Sequence, residues 1–276
     1  MIDSIYKRIS TRTYKNESLS QKHNNEILEI VNYHKNIKGP FGNIFDFTFN
    51  LNSKKLPQEK KIGTYGLIKN VPSFIGGVSS NTIESIIDFG FVFESLLLFL
   101  TDKGFDTCWL GGTFKRNEYR KELMENEIIP AISPVGHRAI KTSLIEKTMR
   151  KRSGARSRLS SDILFKQYHN EMPIDMKIES PINTCLDLVR LGPSASNKQP
   201  WRLYIDNDTV HFYIERTPKY PPIDLGYDLQ ALDIGIALCH LSVGLKYFQK
   251  TFGYKKLEKV KAFPNQEYIL SVKVNL

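Results

Sequence analysis

The sequence predicts an α+β fold of two tandem half-repeats, with mainly antiparallel sheets and two long central helices. Three observations predict it. Apolar residues crowd residues 80–103 and 224–252 on nearly every side, as they do in buried helices. Short alternating segments bounded by Gly, Pro and Asn lie around them, as strands do. The order helix, loop, strand or strands, long helix, closing strand runs through the chain twice.

Taken in order, residues 20–35 read as a helix, with Ser20 as cap and Ile27, Leu28, Ile30 and Val31 as its apolar face. Gly39-Pro40-Phe41-Gly42-Asn43 breaks it, and Ile44, Phe45, Phe47, Phe49 and Leu51 then alternate as a strand. Residues 52–61 are a Lys-rich loop; 61–69 and 73–78 read as further strands, or strand and connector. The helix over 80–103 stops at Gly104. A short polar helix is expected at 117–125 and a strand at 129–135, ending in Gly136. The basic run 138–158 reads as an exposed linker between halves spanning 1–155 and 156–276, packed closely enough to act as one domain. Ser180-Pro181 opens the next helix with a cap and a first-turn proline. Residues 201–205 and 210–214 form a hairpin around Asn207-Asp208, 224–252 is the second long helix, and 268–274 is the last strand.

Two local matches support the repeat. Leu28-Glu29-Ile30-Val31 matches Leu186-Asp187-Leu188-Val189, and the run from Asp88 to Leu96 matches that from Asp224 to Leu232. The offsets, 158 and 136, leave the second copy 22 residues shorter, which points to loss of the strand region around 52–78.

The 276 residues, 41% apolar and 25% charged, suit a sizeable core and exclude wholesale disorder. A net charge of +10 means either a solvated basic surface or attraction to phosphorylated cofactors or nucleic acid. No aromatic side chains interleave the basic run 138–158 for base stacking, so no nucleic-acid partner is expected. Cys108, Cys185 and Cys239 are widely spaced, form no C-x-x-C pair and do not cluster with histidines, which argues against zinc or a disulfide framework. No apolar leader follows Met1, and the apolar run 89–100 is too short to span a bilayer and contains Glu94. A cytoplasmic protein with no membrane partner is expected.

Two stretches carry candidate binding chemistry. Gly192-Pro193-Ser194-Ala195-Ser196-Asn197-Lys198-Gln199-Pro200-Trp201 sets several donors and acceptors between two apolar elements. It suits a flat polar ring, or is simply a helix end and a turn. Arg8, Ser10 and Arg12 alternate, so in an extended segment they share one side as a phosphate clamp, or they are a solvated basic terminus.

Pro193-Ser194-Ala195-x-Asn197-x-Gln199-Pro200-Trp201 resembles the flavin-contacting signature of the FMN-dependent nitroreductase family. Arg8-x-Ser10-x-Arg12 is similar to that family's phosphate and ribityl motif, and Thr107-Cys108-Trp109-Leu110-Gly111-Gly112 to its Gly-Gly segment. The resemblance implies a nitroreductase-like fold and an FMN. Arg8 and Ser10 would hold its phosphate and ribityl, joined by Arg156 or Arg158; Arg12 would lie near the pyrimidine edge. The backbone of Gly111 and Gly112 would face the ring, and Pro193, Ser194, Ala195, Asn197 and Gln199 would contact ring or ribityl. NAD(P)H would be the electron donor and a nitro, quinone or similar small organic molecule the acceptor; no side-chain general base is identifiable.

The clamp and the Gly-Gly segment lie in the first half and the signature loop in the second. In the family these parts come from two subunits, so the chain resembles a branch in which one internally duplicated chain imitates the dimer, with one complete site in a monomer. The basic run 138–158, or the aromatic residues near Tyr65, Phe74 and Trp109, are candidates for closing the entrance, which would leave a non-catalytic flavin-binding protein, for storage or sensing, as the alternative.

Overall fold

In the computed structural model, which describes residues 1–51, 63–120, 122–152, 154, 157–222 and 224–275, the two halves share one apolar core. The first opens with α1 (Ile2–Lys7) and α2 (Gln21–His34). The Ser20 hydroxyl accepts from His23 N, so the cap read from sequence forms. The strands β1 (Thr48–Leu51), β2 (Ser73–Gly76) and β3 (Ser79–Ser80) come next, then α3 (Ile83–Asp102). α3 is capped by Thr82 and closed by Gly104 at φ +82°, a left-handed position that glycine adopts without strain. After it come β4 (Asp106–Thr107), α4 (Arg116–Tyr119), β5 (Glu127–Ile128), β6 (Ile132–Gly136) and α5 (Leu144–Arg152).

The second half continues with α6 (Ser161–Leu164), β7 (Phe165–Gln167), α7 (Pro181–Arg190), β8 (Trp201–Asp206), β9 (Thr209–Ile214), α8 (Leu229–Tyr247), β10 (Thr251–Lys255) and β11 (Glu267–Asn275). Ser180 caps α7 by accepting from Asn183 N. Asp228 caps α8 by accepting from Gln230 N and Ala231 N. α8 is long and apolar enough to cross a membrane (mean hydropathy 1.3), but 89% of that stretch is buried, as in a core helix.

The first half's sheet runs β1-β2-β6-β4 and the second half's β8-β9-β11-β10, with every neighbouring pair antiparallel. Thus helix, hairpin, long helix and closing strand pair have one topology in both halves. β7, which precedes α7, adds a parallel fifth strand beside β8.

α3 and α8 cross at two glycines. A Cβ on Gly90 would stand 2.3 Å from Leu232 O, and one on Gly235 2.0 Å from Ile87 O. Each glycine therefore meets the carbonyl three residues before the other. This reciprocity equates Gly90 with Gly235, and Asp88 with Asp233.

Several expectations need correction. The match of Asp88-Phe89-Gly90 to Asp224-Leu225-Gly226 is out of register, because 224–227 lies ahead of α8, outside any helix. Among the described residues of 52–78 the strand, β2, has a counterpart in β9, and it is the connection before β2 that is the longer one. Residues 52–62 lie outside the described residues, and 63–69 are turns with one bridge, Thr13 to Lys69, rather than a strand. The basic run contains a helix, α5, whose charges hide its period. The predicted strand over 44–51 is regular only from Thr48, and the helix over 117–125 is the single turn α4.

Candidate functional site

A cavity of about 1000 Å³ lies between the halves. Its walls are the extended segment after α1, the turn after β4, α5 with Gly154, Ser157 and Arg158, the loop after α7, Tyr220 to Pro222 with Leu225, and one face of α8.

The segment after α1 runs beside β4: Ser10 bridges Thr107, and Thr11 N donates to Thr107 O. Thr11 and Thr13 are thereby buried while Arg8, Ser10 and Arg12 line the cavity, as their alternation predicted. Arg8 Nε stands 3.6 Å from Glu94 Oε1, and its Nη1 is buried with no hydrogen-bond partner among the described residues. Arg12 makes no ion pair among the described residues.

Glu94 is fully buried on α3. Its Oε1 faces His240 Nε2 of α8 at 3.0 Å, and its Oε2 accepts from Trp109 Nε1 at 2.6 Å. Burial pushes its pKa up, but Arg8, His240 and Trp109 outweigh that and hold the carboxyl below its ordinary value. One carboxylate thus ties together a cavity arginine, a cavity tryptophan and the other half's central helix.

Trp109, Leu110, Gly111, Gly112 and Thr113 form the next wall. A Cβ on Gly111 would stand 2.5 Å from Leu229 Cδ1, so the turn sits directly on α8. Gly111 O accepts from the Arg116 guanidinium and from the Tyr227 hydroxyl.

The loop after α7 places Pro193, Ser194, Ala195, Ser196 and Asn197 on the cavity. Ser196, Asn197 and Gln199 have φ of 48°, 57° and 49°, left-handed conformations that cost such residues roughly 1–3 kcal/mol each. Hydrogen bonds from all sides hold them. Ala195 N donates to Asp233 Oδ1 (3.0 Å) and Gln199 N to Ser194 Oγ (2.9 Å). Tyr220 OH bonds Ser196 Oγ (3.0 Å), and Asn197 Nδ2 donates to Gly154 O and Ser157 O (3.0 Å each). Gln199 does not line the cavity: buried, it accepts from Leu159 N and donates to Asn197 O, bracing the loop from behind.

Of the two late arginines, Arg158 reaches the site and Arg156 lies outside the described residues. Arg158 Nη1 donates to Asn197 Oδ1 (3.2 Å) and Nη2 to Leu191 O (3.1 Å). Burial, then the positive charges of Arg8 and Arg190, lowers its pKa. Two guanidiniums lining one cavity mark a place for an anion.

Sequence reasoning missed the second-half wall. Leu229, Leu232, Asp233 and Ile236 follow i, i+3, i+4, i+7 spacing and present one face of α8 to the cavity. Asp233 is 2% exposed, and burial raises its pKa well above the usual carboxylate range. Lys147, Met149 and Lys151 of α5, with Tyr220, also line the cavity. Of the aromatic residues expected at the entrance, only Trp109 lines the cavity; Tyr65 is 66% exposed and Phe74 is buried in a separate apolar cluster.

The family described as "Putative TM nitroreductase" matches residues 1–245. No curated protein matches the chain. A crystal structure described as a "putative nitroreductase" from Thermotoga maritima superimposes with a TM-score of 0.62 at 18% identity, covering 99% of this chain and 92% of that one. It shows the fold. A nitroreductase family protein from Clostridium novyi NT is 20% identical with a TM-score of 0.39, covering 50% of this chain and 84% of that one. The chain belongs to the nitroreductase family of oxidoreductases.

Proposed function

We infer that this chain is an FMN-dependent oxidoreductase that takes two electrons from NAD(P)H and passes them to a nitro, quinone or similar organic acceptor. The observation that carries the reading is that the cations Arg8 and Arg158 both line one cavity walled by both halves. A phosphate between them would balance both charges and satisfy the orphaned Arg8 Nη1. The apolar face of α8 and Trp109 suit a flat ring, and about 1000 Å³ leaves room for a second molecule beside it.

When bound, FMN supplies the two-electron chemistry. The chain's own residues bind and orient. Arg8 and Arg158 hold phosphate, Ser10 and Ser194 offer hydroxyls to the sugar chain, and Arg12 brings positive charge toward the ring. Asn197 acts through Arg158, because its side chain is committed to that residue and to the backbone before it. Lys147 and Lys151, exposed on α5, draw in an anionic nucleotide.

The shared strand order supports reading the halves, 1–155 and 156–276, as an internal duplication. Three buried thiols without disulfides suit a reducing, cytoplasmic setting.

The test is a flavin titration, then reduction. Wild type should bind FMN more tightly than riboflavin, and Arg158→Ala should lose about tenfold in FMN affinity while binding riboflavin as before. Equal loss for both ligands would remove Arg158 from the phosphate. NADH or NADPH should then bleach the bound flavin anaerobically; a loaded protein that neither nucleotide bleaches is a flavin carrier, not an oxidoreductase.

A further inference from the structure

The pseudo-equivalent acids Asp88 and Asp233 hold the loop after the preceding helix in their own halves, but they are not satisfied alike. Asp88 Oδ1 accepts from Phe41 N (2.9 Å), and its Oδ2 from Asn43 N (2.9 Å) and Asn43 Nδ2 (2.8 Å). Three donors occupy both oxygens. Asp233 Oδ1 accepts from Ala195 N (3.0 Å), and Oδ2 has no partner among the described residues. Loop anchoring needs only one of the two oxygens. A buried polar atom without a partner is expensive to keep, and in a binding site it marks a place where the ligand completes the bond.

The surroundings say what kind of ligand. Asp233 is the one polar residue on the α8 face of Leu229, Leu232 and Ile236 that lines the cavity. An apolar stripe with a single polar group suits a flat heterocycle whose rim carries a hydrogen-bonding atom. Asp233 is buried, and the charged neighbour bearing on it is another carboxylate, Asp228; both favour the protonated form, which has a proton to give. Arg8 and Arg158 line the same cavity and would take its anionic ligand group, leaving Asp233 for an uncharged part of the ligand.

Resting on the flavin reading, we propose that Asp233 is a ligand-contacting residue whose carboxylic acid donates a hydrogen bond to an acceptor atom on the rim of the isoalloxazine ring, while its other oxygen holds Ala195 N. It is a specificity-determining contact that neither motif contains. The first half's counterpart, with both oxygens occupied, has no such bond to offer.

The experiment measures the affinity of FMN and of lumiflavin, which has the ring without ribityl or phosphate, by fluorescence quenching. It uses wild type, Asp233→Asn and Asp233→Ala, with circular dichroism to confirm folding. Asparagine keeps an acceptor for Ala195 N and an N–H donor, so Asp233→Asn should stay within about threefold of wild type for both ligands. Asp233→Ala should lose about tenfold for both. Folded Asp233→Ala with unchanged affinities overturns the contact, and a loss confined to FMN places it on the ribityl chain and overturns the ring assignment. Should the alanine variant not fold, Asp233→Asn and Asp233→Ser, which also carries a short donor, decide instead: both at or below a tenth of wild-type lumiflavin affinity overturns the proposal. Wild type that binds neither flavin overturns the functional reading itself, a result distinct from these.

Discussion

A buried imidazole needs partners for both ring nitrogens, and the two halves supply different ones. His34 directs Nδ1 to Ile30 O (2.8 Å), and its Nε2 meets the Ser95 hydroxyl (3.2 Å). His240 directs Nδ1 to Leu188 O (2.8 Å), and its Nε2 meets the Glu94 carboxylate (3.0 Å). The hydroxyl gives His34 no charge to balance a proton, and burial lowers its pKa to about 4. Unfolded, the same ring takes a proton near its ordinary value of about 6.5. The unfolded state therefore binds more protons in that window, so stability present above about pH 6.5 falls as pH drops toward 4, by up to about 3 kcal/mol. His34→Phe fills the site without a titrating group. Urea midpoints at about pH 7.5 and about pH 4.5 should differ less for the variant than for wild type; parallel losses would mean that other groups carry the acid sensitivity. None of this was legible in the sequence, where a histidine at a helix end carries no sign of its partner. Arg8, Ser10 and Arg12 were legible, because alternation in an extended segment fixes direction without tertiary information. Asp233 and Glu94 were not: acids inside apolar helices read as interruptions until the fold shows what they face.

At the scale of the element, the two long helices organise the molecule, and glycine sets how close they come. The backbone of each helix touches the other at Gly90 and Gly235, where a methyl group would stand 2.3 and 2.0 Å from a carbonyl oxygen. Alanine is the better helix former by about 1 kcal/mol, so an isolated helix would gain from either substitution. In the protein the crossing must open instead, and overpacking of this kind costs about 1–3 kcal/mol, occasionally more. We expect Gly235→Ala to lower the urea midpoint despite its propensity gain. It should also weaken FMN binding, because Leu232, Asp233 and Ile236 beside it line the cavity. A variant as stable as wild type would show that the helices separate freely and that the crossing does not position the wall. The pattern was present in the sequence: Asp88-Phe89-Gly90-Phe91 repeats as Asp233-Ile234-Gly235-Ile236, 145 positions on. The competing match at Asp224 shares the same Asp-x-Gly and a longer run of likeness, and only the crossing distinguishes packing glycines from a turn glycine such as Gly226, at φ +73°. The helix in the basic run escaped for another reason, since α5 is too polar for apolar periodicity to reveal it.

For the whole molecule the question is how many sites two like halves make. Both have a loop whose backbone N–H rests on the equivalent aspartate, Phe41 on Asp88 and Ala195 on Asp233. The side chains at those two positions differ in volume. Ala195 leaves only a methyl group there, beside the open cavity. Phe41 carries a ring that packs against the main core, with Lys256 Nζ 5.8 Å from its centre. The first half's loop is thereby filled by its own side chain, and both oxygens of its aspartate are spent. The cationic clamp is equally one-sided, since Arg8, Ser10 and Arg12 lie near the start of the first half and line the cavity of the second half's loop. Both walls of that cavity belong to one chain, so a ligand held between them would not require a second copy. FMN titration should end at one flavin per chain, and sedimentation should give a monomer across the concentrations used. Affinity should be the same at high and low protein concentration, because dilution cannot separate walls joined by covalent chain. Two flavins per chain would mean that Phe41 swings clear and the first loop still binds. Flavin release on dilution, in step with a falling mass, would mean that the site is completed between chains and that the resemblance of the two halves to a dimer is one of topology alone.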